Sequence, residues 1–339
     1  MAGNPRGTPA VGTGMTAIPD TSTTLGSLDL ADAPLALGGN VLGWTAGQDD
    51  SFAVLGGFAD AGGRLIDTAD VYSAWAPGHA GGESEEMIGR WLAATGRRED
   101  VLIATKVSQH ADFPGLSAAN IRAAAEASLQ RLGTDRIDLY YAHFDHDEPI
   151  EETAAAFSAL VDQGLVREIG ISNFSAERID AWMDAVAANG LHRPVALQPH
   201  YNLVERGFEG QLRDAAERHG LGVLPYWALA SGFLTGKYRD ADQDTHSPRA
   251  PEALKYLDER GQRALAVLDE VAAAHEVPVA SVALAWLVAQ PTVAAPIASA
   301  RHAGQARGAP GRHAAHPRRR RGAGAHRRIG LGCRRPGGT

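Results

Sequence analysis

Between residues 35 and 299, short apolar runs alternate with stretches in which apolar residues recur every three or four positions. The runs are "LALGG" (35–39), "RLIDTA" (64–69), "VLIATKV" (101–107) and "IDLYYAH" (137–143), followed by "VREIGISN" (166–173), "VALQPHYN" (195–202), "GVLPYWAL" (222–229) and "TVAAPIAS" (292–299). All are of strand length. Among the intervening segments, "ESEEMIGRWLAA", "SAANIRAAAEASLQRLG", "EETAAAFSALVDQG" and "SAERIDAWMDAVAA" carry the helical period. Ser175 opens the last of these with an acid close behind, which predicts a capped helix start. Strands separated by helices predict a parallel sheet. An open doubly wound sheet would place a glycine-rich phosphate turn after its first strand, and no G-x-G-x-x-G follows "LALGG". Eight strands in this length predict closure into a (β/α)8 TIM barrel, a single α/β domain.

Hydrophobic residues make up 44% of the 339, enough for a large core. No apolar run approaches the roughly 20 residues of a membrane span. Residues 1–24 are rich in Gly, Pro and Thr and lack the apolar centre of a secretory signal, so they read as a disordered leader. Cys333 is the single cysteine, which excludes an intramolecular disulfide. A cytoplasmic protein with no membrane partner is expected. The formal charge of −8 conceals two parts. Ten of the 32 basic residues are arginines within 302–339, which holds no acid and no lysine; the remainder sets 22 basic against 40 acidic side chains. A basic tail suits a nucleic-acid arm, but so acidic a body argues against a nucleic-acid partner.

The candidate chemistry starts at "RLIDTADVYSAW" (64–75), where an apolar run ends on Asp67 and Tyr72 follows. A buried carboxylate is costly unless a cation meets it. Barrel enzymes gather functional residues at the C-terminal ends of strands. Asp67 ends one run, Lys106 ends the next and His143 the one after, with Tyr72 in the loop beside them. Singly, these read as a turn aspartate, a solvated lysine, a boundary tyrosine and a structural histidine. Together they suit proton donation to a carbonyl oxygen. Lys106 would lower the tyrosine's pKa from its usual value near 10, Asp67 would hold Lys106, and His143 would orient the substrate oxygen. The group contains no activated serine or cysteine and no metal-ligand cluster, so reducing electrons have to come from a cofactor. "HFDHDEP" brings His143, Asp145, His146 and Asp147 close together, but acids ahead of "EETAAAF" read as helix-start residues rather than metal ligands; no metal is expected. The loop "SAWAPGHAGGESEE" reads as substrate-side rather than as a phosphate cradle.

In "DTADVY", "ATKV", "LYYAHFD", "IGISNF", "LQPHYNLVER" and "ASGFLTGKY", in this order and spacing, the chain resembles the aldo-keto reductase family over residues 35–301. The resemblance implies a (β/α)8 barrel that reduces aldehydes or ketones with NADPH and without a metal. It implies that Asp67, Tyr72, Lys106 and His143 are the catalytic tetrad, with Tyr72 the acid in reduction. Ser172, Asn173 and Gln198 match the positions that bind the nicotinamide carboxamide, and Asp67 is counted with the cofactor contacts. Tyr226 matches the aromatic that stacks on the nicotinamide, with Trp227 beside it. Leu229, Gly232 and Lys237 fall in the segment covering the pyrophosphate, and Ser299 and Arg301 are counted with the cofactor contacts. Gly43 and Trp44 lie where the family meets the nicotinamide and substrate; Trp44 and Trp75 are candidates for an apolar pocket wall.

The family pattern breaks after "APIASAR", and residues 302–339 show neither helical period nor large apolar content. Read one base out of register from His302, the codons permit Thr-Pro-Asp-(Lys/Arg)-Leu-Ala-Ala-Leu-Leu, which resembles the helix start that the family has after its last strand and restores a cation at position 305. An out-of-frame tail is therefore expected in preference to a disordered arm. The expected activity is NADPH-dependent carbonyl reduction of a small molecule by a monomer or weak homo-oligomer. The alternative is a nicotinamide-binding regulatory subunit on the same fold, with incidental turnover.

Overall fold

A computed structural model describes residues 24–30, 34–240 and 247–306; most of the leader and the tail beyond Ala306, including Cys333, lie outside the described residues. Eight parallel strands form the centre: β1 (Ala36–Gly38), β2 (Leu65–Asp67), β3 (Leu102–Val107), β4 (Ile137–Ala142), β5 (Val166–Ser172), β6 (Pro194–Gln198), β7 (Gly222–Val223) and β8 (Ile297–Ala298). They neighbour one another in chain order, and β8 pairs with β1. The remaining seam closes through Val223 N to Thr292 O, Ala294 N to Val223 O and Ile297 N to Pro225 O. This is the closed (β/α)8 barrel. β7 and β8 are shorter than their apolar runs because Pro225 and Pro296 have no N–H to give the ladder; both still accept through their carbonyls.

The helices cross back outside: α1 (Gln48–Asp60), α2 (Glu83–Thr95), α3 (Ala118–Leu132), α4 (Ile150–Asp162), α5 (Ala176–Asn189), α6 (Gln211–Arg218), α7 (Ala250–Leu254), α8 (Glu259–His275) and α9 (Val279–Val288). Ser175 caps α5 as expected, its Oγ accepting from Arg178 N at 3.2 Å, a bond worth about 1 kcal/mol to the helix. No single helix among the described residues is long and apolar enough to cross a membrane.

Side-chain parity along the strands separates two cores. Ile66, Ile103, Tyr140, Ile169, Ile171 and Leu197 face the helices. Leu65, Leu102, Ala104, Leu139, Tyr141 and Ala196 fill the barrel. Gly170 makes room for Tyr141, since a Cβ there would lie 2.4 Å from the ring. A feature the sequence reading lacked closes the lower mouth: Thr24–Leu25 and Leu28–Asp29 form an antiparallel hairpin, and Leu25, Leu28 and Leu30 join the interior core.

The C-terminal region departs from expectation over its first residues. Ala303–Ala306 form a short helix, α10, that lies against α1. Residues 307–339, on which the reading of the tail chiefly rests, are outside the described residues.

Candidate active site

Strand parity builds the site before any chemistry is invoked. Successive side chains alternate faces, so inward Leu65 makes Asp67 inward, and Leu102 with Ala104 makes Lys106 inward. Tyr141, Gly170 and Ala196 do the same for His143, Ser172 and Gln198. Five polar side chains from five strand ends thus converge on the upper mouth of an apolar barrel.

Lys106 is fully buried there, and Asp67 nearly so. The Lys106 Nζ donates to Asp67 Oδ2 at 2.7 Å, to the Thr68 carbonyl at 2.7 Å and to the Tyr72 hydroxyl at 3.0 Å. The cation demanded by Asp67 is therefore Lys106. Burial pushes the lysine toward neutrality, but Asp67 and Tyr72 outweigh it and leave its pKa raised, so it stays an ammonium.

Tyr72 corrects the expectation. Burial is the dominant influence on its hydroxyl and lifts the pKa to about 12, with Lys106 lowering it by less. The ammonium moderates a weak acid rather than making a strong one. His143 is held well below the usual histidine range by burial first and Lys106 second. It is neutral, with Nδ1 buried and without a partner among the described residues, and its ring lies 6.3 Å from that of Tyr72.

A second set adjoins the first. The Tyr226 hydroxyl donates to Asn173 Oδ1 at 2.9 Å. Asn173 Nδ2 donates to the His143 carbonyl and to Ser172 Oγ, at 2.9 and 3.0 Å. Ser172 Oγ donates to the Gln198 carbonyl at 2.9 Å, and Gln198 Nε2 donates to Asp67 Oδ1 at 2.8 Å.

Around the mouth, Trp75 stands edge-on to Trp44 at 5.5 Å and to Tyr72 at 6.0 Å. Trp227 meets Tyr226 edge-on. Trp75, Phe144 and Trp227 are the exposed large apolar side chains among the described residues, and all three adjoin this site. Gly43 turns with φ of 73°, and a Cβ there would press on Glu83.

Beyond Tyr226 the backbone is strained. Trp227, Ala230 and Ser231 hold φ near +50°, followed by Gly232 at 96°, an arrangement that costs about 1–3 kcal/mol per non-glycine residue and recurs at ligand clamps. Leu229 lies within this bend, and a Cβ on Gly232 would crowd the Lys237 ammonium at 3.4 Å. At the same rim, Asn40 Oδ1 accepts from Ser299 Oγ and from Arg249 Nη2, each at 2.7 Å.

Arg249 and Asn40 are site residues that the sequence reading missed. The Arg249 guanidinium has no acidic partner among the described residues; burial first and Arg301 second act against its charge. "HSPRAP" has no period and no motif to mark it. His200 was missed too: its ring lies flat beneath Tyr226, 5.3 Å away at 12°.

The acids of "HFDHDEP" behave otherwise than expected. Asp145 takes both Nε and Nη2 of Arg178, at 2.7 and 2.8 Å, and Glu148 accepts from Leu116 N. The first turn of α4 draws its acids from Glu151 and Glu152 instead. Among the described residues no group of three or more His, Cys, Asp or Glu is placed to hold a metal ion.

The sequence pattern of the Aldo/keto reductase family matches residues 34–309. The chain belongs to that family. Aldo/keto reductases are oxidoreductases, and similar members carry different names. An aryl-alcohol dehydrogenase of Pestalotiopsis microspora is 33% identical over 76% of this chain and 68% of its own. A probable voltage-gated potassium channel subunit beta of Oryza sativa subsp. japonica is 34% identical over 73% and 77%. Aldo-keto reductase yakc of Schizosaccharomyces pombe, with NADP(+) in its name, is 32% identical over 72% of each chain.

Proposed function

We propose that this aldo/keto reductase reduces an aldehyde or ketone to the alcohol with NADPH, Tyr72 supplying the proton. The observation that carries the reading is the buried Lys106 ammonium shared between Asp67 at 2.7 Å and the Tyr72 hydroxyl at 3.0 Å. A reduced nicotinamide supplies the hydride when bound. Everything else falls to the chain. Tyr72 keeps its proton through the neutral and alkaline range, and an alkoxide forming on the substrate is basic enough to take it from a phenol of pKa about 12. Lys106 stabilises the phenolate left behind, and Asp67 holds Lys106 in place. Neutral His143 hydrogen-bonds the substrate oxygen without competing as an acid.

The residues present fit the cofactor. Tyr226, tied to Asn173 and backed by His200, presents a ring of fixed orientation for the nicotinamide. Ser172, Asn173 and Gln198 would take its carboxamide. The strained bend at 229–232 and Lys237 would hold the pyrophosphate. Arg249, a cation without an acidic partner among the described residues, with Ser299 and Arg301 beside it, suits the adenosine phosphate.

The aromatic mouth of Trp44, Trp75, Phe144 and Trp227 favours flat aryl carbonyls, in line with the name of the Pestalotiopsis relative. Ring contacts of this kind add about 0.5–1.5 kcal/mol each, so benzaldehyde should exceed propanal about three- to tenfold in kcat/KM. Loss of reduced-nicotinamide absorbance with such a panel tests the proposal. No turnover of any aldehyde by a chain that binds NADPH would overturn it. That result would favour a nicotinamide-binding regulatory subunit, the reading to which the potassium channel relative points.

A further inference from the structure

Two hydrogen-bonded groups meet at one residue. On one side, Tyr226, Asn173 and Ser172 form the chain of bonds that ends on the Gln198 carbonyl. On the other, Lys106 and Tyr72 lean on Asp67 Oδ2. Gln198 bridges them, because its side chain donates to Asp67 Oδ1 at 2.8 Å. The two carboxylate oxygens thus have different keepers: Lys106 holds Oδ2 and Gln198 holds Oδ1. Gln198 and Asp67 are both nearly fully buried, and their strands are not neighbours in the sheet; the bond spans the barrel mouth.

We propose that Gln198 is a positioning residue for proton transfer: by holding Oδ1 of Asp67 it fixes that carboxylate against Lys106 and joins the nicotinamide-binding side chains to Tyr72. The inference rests on Tyr72 being the proton donor. An amide has two N–H groups and one carbonyl. The bond to Asp67 uses one N–H, so Gln198 can keep Asp67 while meeting a carboxamide.

The physical consequence lies in the charge that Tyr72 senses. Facing it are Lys106 from β3, Asp67 from β2, His143 after β4, and Arg249 from the segment before α7. Facing Asp67 are Lys106, Tyr72, Tyr141 and Gln198. The Asp67 charge opposes ionisation of Tyr72, and Lys106 favours it. A donor on Oδ1 spreads the carboxylate's charge away from Tyr72. Removing that donor leaves the charge concentrated and frees Asp67 to shift against Lys106, so the Tyr72 proton is held more tightly.

The test places 3,5-difluorotyrosine at position 72, whose lower intrinsic pKa brings the titration into reach, and follows its fluorine resonance against pH in the cofactor-free protein. Gln198→Met removes the donor at similar volume. Gln198→Asn keeps an amide but withdraws it by one methylene, and serves should the Met variant fail to fold. Near-UV circular dichroism reports folding. In either folded variant the midpoint should rise by about one pH unit, equivalent to a tenfold change in ionisation at fixed pH. An unmoved midpoint with weakened NADPH binding would overturn the proposal and leave Gln198 a cofactor contact only. The underlying assignment fails separately, if Tyr72→Phe still reduces aldehydes at the parent rate.

Discussion

Lys106 and Asp67 make a salt bridge of 2.7 Å in which neither side chain is more than 3% exposed. Charges so far from water are costly, and the pair survives because every lysine proton has an acceptor: Asp67, the Thr68 carbonyl and the Tyr72 oxygen. Breaking it from one side strands a charge. Lys106→Met should therefore lower unfolding free energy by about 3–5 kcal/mol, measured by urea denaturation. Adding Asp67→Asn should recover most of that loss, while reductase activity stays abolished in both. A Lys106→Met protein as stable as its parent would mean that the carboxylate is not ionised in the fold.

Replacing Tyr72 by Phe preserves the ring and removes the proton. Aldehyde reduction should fall at least about 10²-fold, with NADPH affinity unchanged in a fluorescence titration. Retention of near-parental rate would place the acid elsewhere.

The parent's pH profile is a separate matter. Tyr72, raised to about 12, keeps its proton across the working range, and His143, lowered well below 6.5, stays neutral. Reduction should therefore be level in kcat/KM from about pH 7 to 10. Alcohol oxidation, which needs the phenolate, should instead climb with pH. An inflection in reduction near pH 6.5 would identify a titrating histidine that the geometry does not provide.

These sites were legible in the sequence to different depths. Asp67, Lys106 and His143 could be found because strand ends are marked by apolar runs, and period-2 parity sends all three inward. The sign of the Tyr72 shift could not, because it balances one nearby ammonium against burial that exists only once loops fold over the mouth. Gln198 stands out in the sequence as a candidate cofactor contact, but its bond to Asp67 joins positions 131 residues apart and leaves no local trace. Arg249 sits in an aperiodic loop, and the plugging hairpin, of which only Thr24 falls in the stretch read as leader, pairs two strands of two residues each, too short to show a period. Pattern locates regular elements, whereas loops are fixed by what they pack against.

On the proposed reading, Arg249 meets a phosphate of the cofactor. Its partly buried guanidinium has no acidic partner among the described residues, a liability to the free protein and an asset toward a phosphate. Arg249→Met should leave thermal stability unchanged or higher. It should weaken NADPH about ten- to a hundredfold, the loss of about 1.5–3 kcal/mol expected for a charge-assisted hydrogen bond. Calorimetric titration beside a melting curve tests both. Lower stability with unaltered affinity would make Arg249 structural.

Asp70 offers a test of the fold that is independent of catalysis. It is fully buried beside Glu85, and neither carboxylate oxygen has a partner among the described residues. Burial first, then the Glu85 charge, raises its pKa to about 8. Thr105 and Arg131 bond Glu85 rather than Asp70, and the field of Arg131, the Val71 N–H and Lys106 offsets only part of the shift. The linkage follows from proton counting. Between the carboxyl's unfolded pKa near 4 and about 8, the folded state keeps a proton that the unfolded state has lost. Titration of Asp70 therefore adds no penalty below about pH 4, destabilises progressively as the pH rises toward 8, and reaches its full effect above that. Asp70→Asn removes the titration while keeping the shape. Its stability gain over the parent should be small at pH 4.5, larger at pH 7 and largest at pH 8.5, read from urea midpoints at the three values. A gain independent of pH would show that Asp70 has an ordinary carboxylate pKa in the folded protein, and hence that water or a cation reaches it.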